Sequence, residues 1–258
     1  MHMMKTRLPL VTGACVALCA GGLTLLPGAA SAAMVELGQT TTPMVAPSCP
    51  KGASLAACKI VLTRTTAVEA MSDALVNPVR VNQEGWVVSF SVGLSRLVPK
   101  PTQRAKIIQG LNANYGGAPE LQLTVLKPGP KNSYTVATQS GVYPVLPFLG
   151  RVLDQPLGVP PKFTAFTALH VIRGELIALT VPTWAPVLSL DLPKDQFAYR
   201  QSRRANCGHT PAAQTAQTKV NQTTQYKCYY TGTRVEYSAT ELTKVKAPKH
   251  VVGQPTAK

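Results

Sequence analysis

The sequence is poor in acidic residues: 11 Asp and Glu stand against 26 Lys and Arg in 258 residues, a formal charge of +15. Charged residues make up only 14% of the chain, below the roughly 25% of an average globular protein. The positive charge therefore reflects a shortage of acids, and a hydrophobic content of 45% excludes a disordered polyelectrolyte. A mainly helical protein is disfavoured because 22 prolines fall at about every twelfth position.

Sequence motifs of the common enzyme sites are also missing. The chain has no Gly-x-Ser-x-Gly elbow, no His-Glu-x-x-His pair and no phosphate-binding glycine loop. Three histidines follow the N-terminal segment, His170, His209 and His250, and none is next to an obvious nucleophile. His170 shares strand parity with apolar residues, which favours a core or half-buried structural role. An enzyme is therefore disfavoured, although a site assembled from distant strands would leave no motif.

Residues 1–32 have the pattern of a secretory signal peptide. Basic residues precede an apolar stretch, and small residues at Ala30 and Ala32 predict cleavage before Ala33. A retained membrane anchor and a lipoprotein are the alternatives, but proline and glycine dilute the apolar stretch and no basic flank follows it. Cleavage removes 32 residues and two positive charges from the 258-residue chain, leaving 226 residues with a net charge of +13. We expect no transmembrane segment in the remainder.

Four cysteines follow the signal: Cys49, Cys58, Cys207 and Cys228. An even number of thiols in an exported chain predicts disulfides, with three possible pairings. Short loops close easily, which favours one bridge between the first two cysteines and one between the last two. Zinc binding by the late cysteines and His209 is the alternative, disfavoured by the ligand spacing and by an oxidising compartment. We expect neither a metal nor a cofactor.

Short alternating segments predict antiparallel strands. The clearest is 86–94, where even-numbered residues are mainly apolar, so that Trp86 is assigned to the core. Segments 121–126 and 133–138 flank a Pro-Gly turn and predict a hairpin, and a second hairpin is expected where 166–173 meets 175–181. Polar and apolar residues also alternate over residues 234–239. About seven or eight such strands fit an all-β, antiparallel β-sandwich with little helix.

The same patterns divide the chain. Residues 33–50 are rich in threonine and proline and are predicted to be a flexible entry segment, followed by a β-sandwich domain over residues 51–246. Residues 247–258 are predicted to be a disordered tail. The one helical segment, residues 103–111, is marginal in length.

Four segments together resemble a known group of proteins: 107–119 (IIQGLNANYGGAP), 178–186 (ALTVPTWAP), 226–230 (YKCYY) and 237–240 (YSAT). The chain is similar there to secreted, disulfide-containing β-sandwich proteins of high-GC Gram-positive bacteria to which no activity is assigned. The resemblance covers about residues 37–242. It implies export, a jelly-roll-like sandwich and pairing of the two late cysteines, and it supplies no catalytic residue.

Binding sites are predicted in two places. Trp184 is flanked by prolines, and its ring would stack on a sugar if it faces solvent; the alternative is a cap on one end of the core. The final quarter, from residue 198, has ten basic and two acidic residues, beginning with Arg200, Arg203 and Arg204. A basic face of this kind attracts anionic envelope polymers, nucleic acid or acidic lipids. A solvated surface is the alternative, and no specific nucleic-acid motif is present.

Paired carboxylates are the remaining candidates for chemistry. Asp191 with Asp195, or Glu84 with Glu120, are the nominal pairs for glycoside hydrolysis, although acids in turns are usually solvated. The sequence therefore predicts a secreted or envelope-associated, non-catalytic binding or structural protein, with an anionic or carbohydrate wall polymer as partner. The alternative function is a secreted hydrolase with a cryptic site.

Overall fold

Antiparallel strands form most of the fold, as the short alternating segments predict. The computed structural model describes residues 32–50, 52, 60–157, 168–205, 207 and 214–243. The strands are β1 Ala33–Leu37, β2 Leu62–Ser72, β3 Leu75–Val76, β4 Gly85–Gly93, β5 Glu120–Pro128, β6 Ser133–Gln139, β7 Tyr143–Pro144, β8 Val152–Pro156, β9 Leu169–Val171, β10 Leu176–Ala185, β11 Leu188–Ser189, β12 Ala198–Gln201, β13 Thr223–Gln225, β14 Cys228–Thr231, β15 Arg234–Val235 and β16 Tyr237–Thr243. Eight of these strands have five residues or more. An all-β, sandwich-like fold is confirmed.

Two main sheets contain these strands, and every pairing is antiparallel. Sheet A has the order β1-β16-β4-β8, with β9 also paired to β4. Sheet B has the order β13-β6-β5-β10-β2-β12-β14, with β3 and β7 paired to β2 and β5. The short strands β11 and β15 pair separately. The expected hairpin is confirmed as β5 and β6, joined through a 3-10 turn at Pro130–Asn132.

Sheet B curls into a half-barrel. Strands β13 and β14 occupy opposite ends of its strand order, yet only Tyr226 and Lys227 separate them in the chain. The three Cα–Cα steps from Gln225 to Cys228 span at most about 11 Å, so the two edges of the sheet approach each other. One face of sheet B holds a run of buried hydroxyls in which Thr180 Oγ1 contacts Thr66 Oγ1 at 2.9 Å and Thr124 Oγ1 at 2.6 Å.

A single apolar cluster unites residues of both sheets. Val87, Phe90 and Val92 enter it from β4, and both β5 and β10 contribute fully buried branched residues. Each such side chain stabilises the fold by about 1.5 to 3 kcal/mol relative to exposure. The sheet B contributors include Leu121, Leu123, Val125, Ile177, Leu179 and Val181.

A bulge in β4 reverses the expected orientation of Trp86. On β16, Thr240 faces Ser89 and the next residue, Glu241, faces Val87, so Val88 is an extra residue in β4. An extra residue shifts every side chain beyond it to the other face of the sheet. Val87 is consequently buried and Trp86 is only half-buried. The assignment of Trp86 to the core is wrong for this reason.

The second expected hairpin is also wrong. Strand β9 pairs with β4 in sheet A, whereas β10 belongs to sheet B between β5 and β2. The turn between them places Gly174 at a φ of 97°, a left-handed conformation that suits glycine, and its N–H donates to Val81. This tight turn therefore changes sheets instead of returning along the same one.

The helix is longer than the predicted segment 103–111. Helix α1 spans Pro101–Tyr115, with proline in its first turn and Gly116 at a φ of 89° after its last residue. None of its residues is fully buried, and its half-buried side is formed by Ile107, Ile108 and Leu111. Packing of this side on the sheet B end stabilises a helix that is marginal in isolation. A further 3-10 turn covers Leu146–Phe148.

The entry segment is not a flexible leader to the sandwich. Strand β1, the first part of residues 33–50, pairs along its whole length with β16, from Ala33 facing Thr243 to Leu37 facing Ala239. The predicted sandwich boundary at residue 51 is therefore wrong on this side. Most of the predicted signal, residues 1–31, and the predicted tail, 247–258, lie outside the described residues.

Candidate functional site

The outer part of sheet B at β12 and β14 presents a positively charged surface. Arg200 on β12 faces Tyr229 on β14, and its guanidinium carbon lies 4.6 Å from the centre of the Tyr229 ring. Tyr229 is 42% exposed and Arg200 is half-buried. A guanidinium over a tyrosine face is attracted by the ring quadrupole, which holds the charge in one place at the surface.

Two exposed basic residues adjoin this pair. The backbone N–H of Lys227 donates to the carbonyl of Arg203 at 3.0 Å, which brings Lys227 beside Arg204. We call Arg200, Arg204, Lys227 and Tyr229 the basic edge. No acidic residue occurs in the sequence from residue 196 to residue 235. The positive charge of the basic edge is therefore not neutralised by its own segment.

Arg203, the third predicted ligand residue, has a different environment. Its side chain is 7% exposed and interacts with Tyr230, whose ring stacks on Tyr199 at a centroid distance of 4.9 Å. Burial lowers the pKa of the Arg203 guanidinium, and the two phenol groups oppose that shift. The prediction that Arg203 faces a ligand is wrong, because this side chain is part of the packed interior.

Trp184 is fully buried and does not face solvent. Its indole N–H donates to Asn112 Oδ1 at 3.0 Å and to the carbonyl of Gly117 at 3.1 Å. Its ring packs with Ile60 and Leu97 beneath helix α1. The expectation that the Trp184 ring stacks on a sugar is therefore wrong. Trp184 instead caps one end of the core, which was the alternative interpretation.

The late cysteines form the expected disulfide. Cys207 and Cys228 are bonded with a Cα–Cα distance of 5.2 Å, and the Tyr230 hydroxyl donates to the Cys207 carbonyl at 2.7 Å. Both sulfurs are used by the bond, which excludes them as zinc thiolates. Cys49 is also disulfide-bonded, and Cys58 lies outside the described residues. The described residues hold no cluster of three metal-ligand side chains.

His170 lies on the outer face of sheet A, not in the core. Its Nε2 is 3.0 Å from Glu84 Oε1, and the two side chains are 45% and 72% exposed. The His170 ring also contacts Trp86 at a centroid distance of 4.9 Å and an angle of 59°. The prediction of a core or half-buried position for His170 is wrong, because the buried side chains of β9 are those of Leu169 and Val171. The bulge at Val88 accounts for the outward orientation of Trp86 alone. This cluster is the clearest surface feature that sequence reasoning missed.

The predicted carboxylate pairs do not form a common site. Glu84 precedes β4 in sheet A, whereas Glu120 begins β5 in sheet B. Asp191 and Asp195 are both exposed in the turn before β12. Neither pair contributes to the walls of the two grooves beside α1 described below.

A different acidic pair is buried around one arginine. Arg234 Nε lies 3.6 Å from Glu69 Oε1 and 3.8 Å from Glu236 Oε2, and all three side chains are at most 2% exposed. Burial raises the pKa of the Glu69 carboxyl well above its ordinary value, although the Arg234 charge acts in the opposite direction. Burial likewise raises the pKa of Glu236. A cluster with two carboxyls and one guanidinium favours protonation of one carboxyl.

Two grooves open beside α1. The larger, about 290 Å³, and the smaller, about 180 Å³, share Cys49, Leu97 and Val98 in their walls. The smaller groove is otherwise lined by Ile60, Val61, Ile107 and Leu111. Neither groove has a histidine or carboxylate to act as acid or base. The described residues include no helix with the length and apolarity needed to cross a membrane.

Comparison with known proteins finds no matching family model, no matching curated protein and no matching solved structure. Two surface features described above indicate function: the basic edge of sheet B, and the cluster of Trp86, His170 and Glu84 on sheet A.

Proposed function

We propose that the protein is exported and acts, without catalysis, as a binding or structural protein of the cell envelope or extracellular space, with an anionic polymer as its partner at the basic edge. The observation that supports this proposal most directly is the placement of Arg200 over the exposed ring of Tyr229. Arg204 and Lys227 extend the positive surface on adjoining chain segments.

Export is supported by cysteine chemistry and by sequence. Disulfides persist in oxidising compartments, and the chain contains the Cys207–Cys228 bond as well as a disulfide-bonded Cys49. The signal pattern over residues 1–32 and the resemblance to secreted sandwich proteins agree with this setting. N-terminal sequencing of protein recovered from the medium of an expressing culture should begin at Ala33.

Recognition of an anionic polymer follows from how the basic edge is built. Stacking on Tyr229 fixes the Arg200 guanidinium, which reduces the side-chain entropy lost when its N–H groups meet phosphate or carboxylate oxygens. The pair is surface-exposed, so binding should weaken as salt shortens the range of the attraction. A folded basic surface of this kind requires no base-reading motif and no pocket.

Retention on immobilised polyglycerol phosphate, at about 20 mM and about 500 mM salt, tests the proposal. We expect retention at low salt only, with a marked loss in the triple variant Arg200→Gln, Arg204→Gln, Lys227→Gln. The matched control is Lys100→Gln, Lys106→Gln, Lys131→Gln, which removes the same charge from exposed positions elsewhere. Equal losses in both triple variants would show a net-charge effect and contradict a specific role for the basic edge.

The structure gives the hydrolase alternative little support. The exposed pair His170 and Glu84 lies on a sheet face and contributes to neither of the two grooves beside α1. Within the described chain, no hydroxyl or thiol hydrogen-bonds to the His170 ring, as an activated nucleophile would. We therefore do not propose a second, catalytic function.

A further inference from the structure

The outer face of sheet A carries a continuous row of apolar and aromatic side chains. Cross-strand register places Met34 opposite Leu242, Leu242 opposite Trp86, and Trp86 opposite His170. Four neighbouring strands, β1, β16, β4 and β9, each contribute one member. Strands lie about 4.8 Å apart, so the row extends over about 14 Å. We call these four residues the sheet A row.

The row is accessible to solvent. Met34 is 74% exposed, His170 is exposed, and Trp86 and Leu242 are half-buried. A contiguous apolar patch on a protein surface often marks a binding site. The bulge at Val88 is what turns Trp86 outward into this row while Val87 and Phe90 remain in the core.

Polar groups next to the rings limit what can bind. Glu84 Oε1 lies 3.0 Å from His170 Nε2, which fixes a carboxylate and an imidazole beside the Trp86 ring. The next cross-strand row consists of Glu36, Thr240 and Ser89, in which Glu36 accepts from the Thr240 hydroxyl at 2.7 Å. A partner must therefore combine a flat apolar surface with many hydroxyl groups.

Charge excludes an anionic partner at this face. Within the described chain, the five strands of sheet A contain no Lys or Arg, although the protein has a formal charge of +15. Acids are present instead: Glu36 on β1, Glu84 before β4, and Asp154, which is exposed on β8 opposite Ser91. A second copy of this face would meet the same acids, which disfavours self-association through it.

We infer that the sheet A row is a binding site for an uncharged saccharide chain, with the Trp86 ring stacking on a pyranose face and Glu84 and His170 hydrogen-bonding its hydroxyls. The C–H groups of a pyranose face are attracted to the negative face of an indole ring. Carboxylate and imidazole groups provide the acceptors and donors that orient hydroxyls in ligand sites. The site uses residues other than the basic edge and does not depend on its proposed partner.

Isothermal titration calorimetry tests the inference. The purified protein is titrated with cellohexaose and, separately, with the hexamer of N-acetylglucosamine. We expect at least one hexasaccharide to bind, with affinity reduced about tenfold or more by Trp86→Ala and about threefold or more by Glu84→Gln. Tyr229→Ala, a matched aromatic deletion at the basic edge, should leave the affinity unchanged.

Controls separate loss of the site from loss of the fold. Glu84 is highly exposed, so Glu84→Gln should retain the wild-type melting temperature and test the site even if Trp86→Ala unfolds. No binding of either hexasaccharide by the folded wild-type protein would overturn the inference, and so would unchanged affinity in folded Trp86→Ala. Retention on polyglycerol phosphate should persist in both variants, which distinguishes failure here from failure of the basic edge. A dimer that dissociates on Trp86→Ala would assign the row to self-association instead.

Discussion

The Arg234 guanidinium lies 3.6 Å from the Glu69 carboxylate, and both side chains are 1% exposed in the interior of a protein whose other charges are mostly at its surface. Arg234 also donates from Nη1 to the carbonyl of Thr42 at 2.9 Å. The arginine therefore joins β2, β15 and the segment after β1. A buried pair of this kind contributes less than its attraction suggests, but loss of one partner leaves an uncompensated charge.

Arg234→Met should destabilise the protein by about 3 to 5 kcal/mol, because Glu69 and Glu236 would remain buried without a cation. Urea unfolding followed by circular dichroism measures the change. The control Glu69→Gln removes one carboxylate and keeps the arginine paired with Glu236, and it should cost clearly less. Equal costs for the two variants would contradict a central role for the arginine.

The two buried carboxyls also predict a pH dependence of stability. Burial raises the folded-state pKa of Glu69 and Glu236 above the ordinary value of 4.5, so the folded state binds more protons than the unfolded state. Their contribution is complete below pH 4.5 and is lost as pH rises through the raised folded pKa values. Between pH 5 and pH 8, roughly, Glu69→Gln should lose less stability than wild type. An identical decline in both proteins would refute this linkage.

Asp73 should act in the opposite direction. Burial tends to raise the pKa of Asp73, but hydrogen bonds from Thr40, Thr42 and Thr41 hold it well below its usual range. The Thr42 N–H and hydroxyl each donate to it at 2.6 Å. Its stabilising contribution is therefore present above the unfolded pKa of 3.8 and is lost as pH falls toward the folded pKa.

Asp73→Asn tests this anchor with little backbone change, since asparagine tolerates the φ of 48° found at this position. Melting temperature should fall at pH 7, and the deficit relative to wild type should shrink progressively as pH is lowered below 3.8. Amide exchange of Thr42 should become faster in the variant, because its N–H loses a charged acceptor. A deficit that persists unchanged in acid would indicate a backbone effect instead of a charge effect.

Removal of the Cys207–Cys228 bond by a double Cys→Ser substitution should cost about 3 kcal/mol, as expected for a loop with a sequence separation of 21 residues. The unfolding midpoint in urea reports the change. A thiol assay on the unreduced, denatured protein should find neither of these sulfurs reactive. Reactive thiols at both positions would contradict the disulfide and reopen the zinc interpretation.

The chain has two tryptophans in contrasting environments, which allows a simple optical check. Trp184→Phe leaves only half-buried Trp86, whose fluorescence should be red-shifted and readily quenched by acrylamide. Trp86→Phe leaves only buried Trp184, whose fluorescence should be blue-shifted and protected. The reverse result would place Trp184 at the surface and restore it as a stacking residue.

Alternation of polar and apolar residues predicts where a strand lies in the sequence, but it is a poor guide to the side of the sheet on which each side chain lies. The pattern at 86–94 locates β4, yet one extra residue at Val88 reverses the side on which Trp86 lies. A bulge has no composition that distinguishes it from regular strand, so this reversal is invisible in the sequence. The change of sheet at Gly174 is likewise invisible in the sequence. Glycine permits a left-handed turn but does not specify which sheet the next strand joins.

The burial of individual charged side chains could not be predicted from the sequence either. Arg234 and Glu236 alternate with apolar residues and look like a solvated face, but each is buried because Glu69 from β2 lies nearby. Arg203 is adjacent to exposed Arg204 and differs from it only through its contacts with Tyr199 and Tyr230. Such assignments depend on residues distant in sequence, which a local pattern does not contain. The basic edge was partly predictable because its charge comes from one segment.

Pairing of β1 with β16 has a consequence for the order of folding. Thr243 donates to the carbonyl of Ala33 across a separation of 210 residues, so the first strand has no partner until the last has been synthesised. Contacts this distant in sequence slow folding and leave apolar strand faces exposed in the meantime. A chain that ends before Tyr237 would leave both β1 and β4 without their shared neighbour, with Phe90 and Val92 beside an open edge. Assembly of sheet A must therefore wait until the last strand, β16, has been completed.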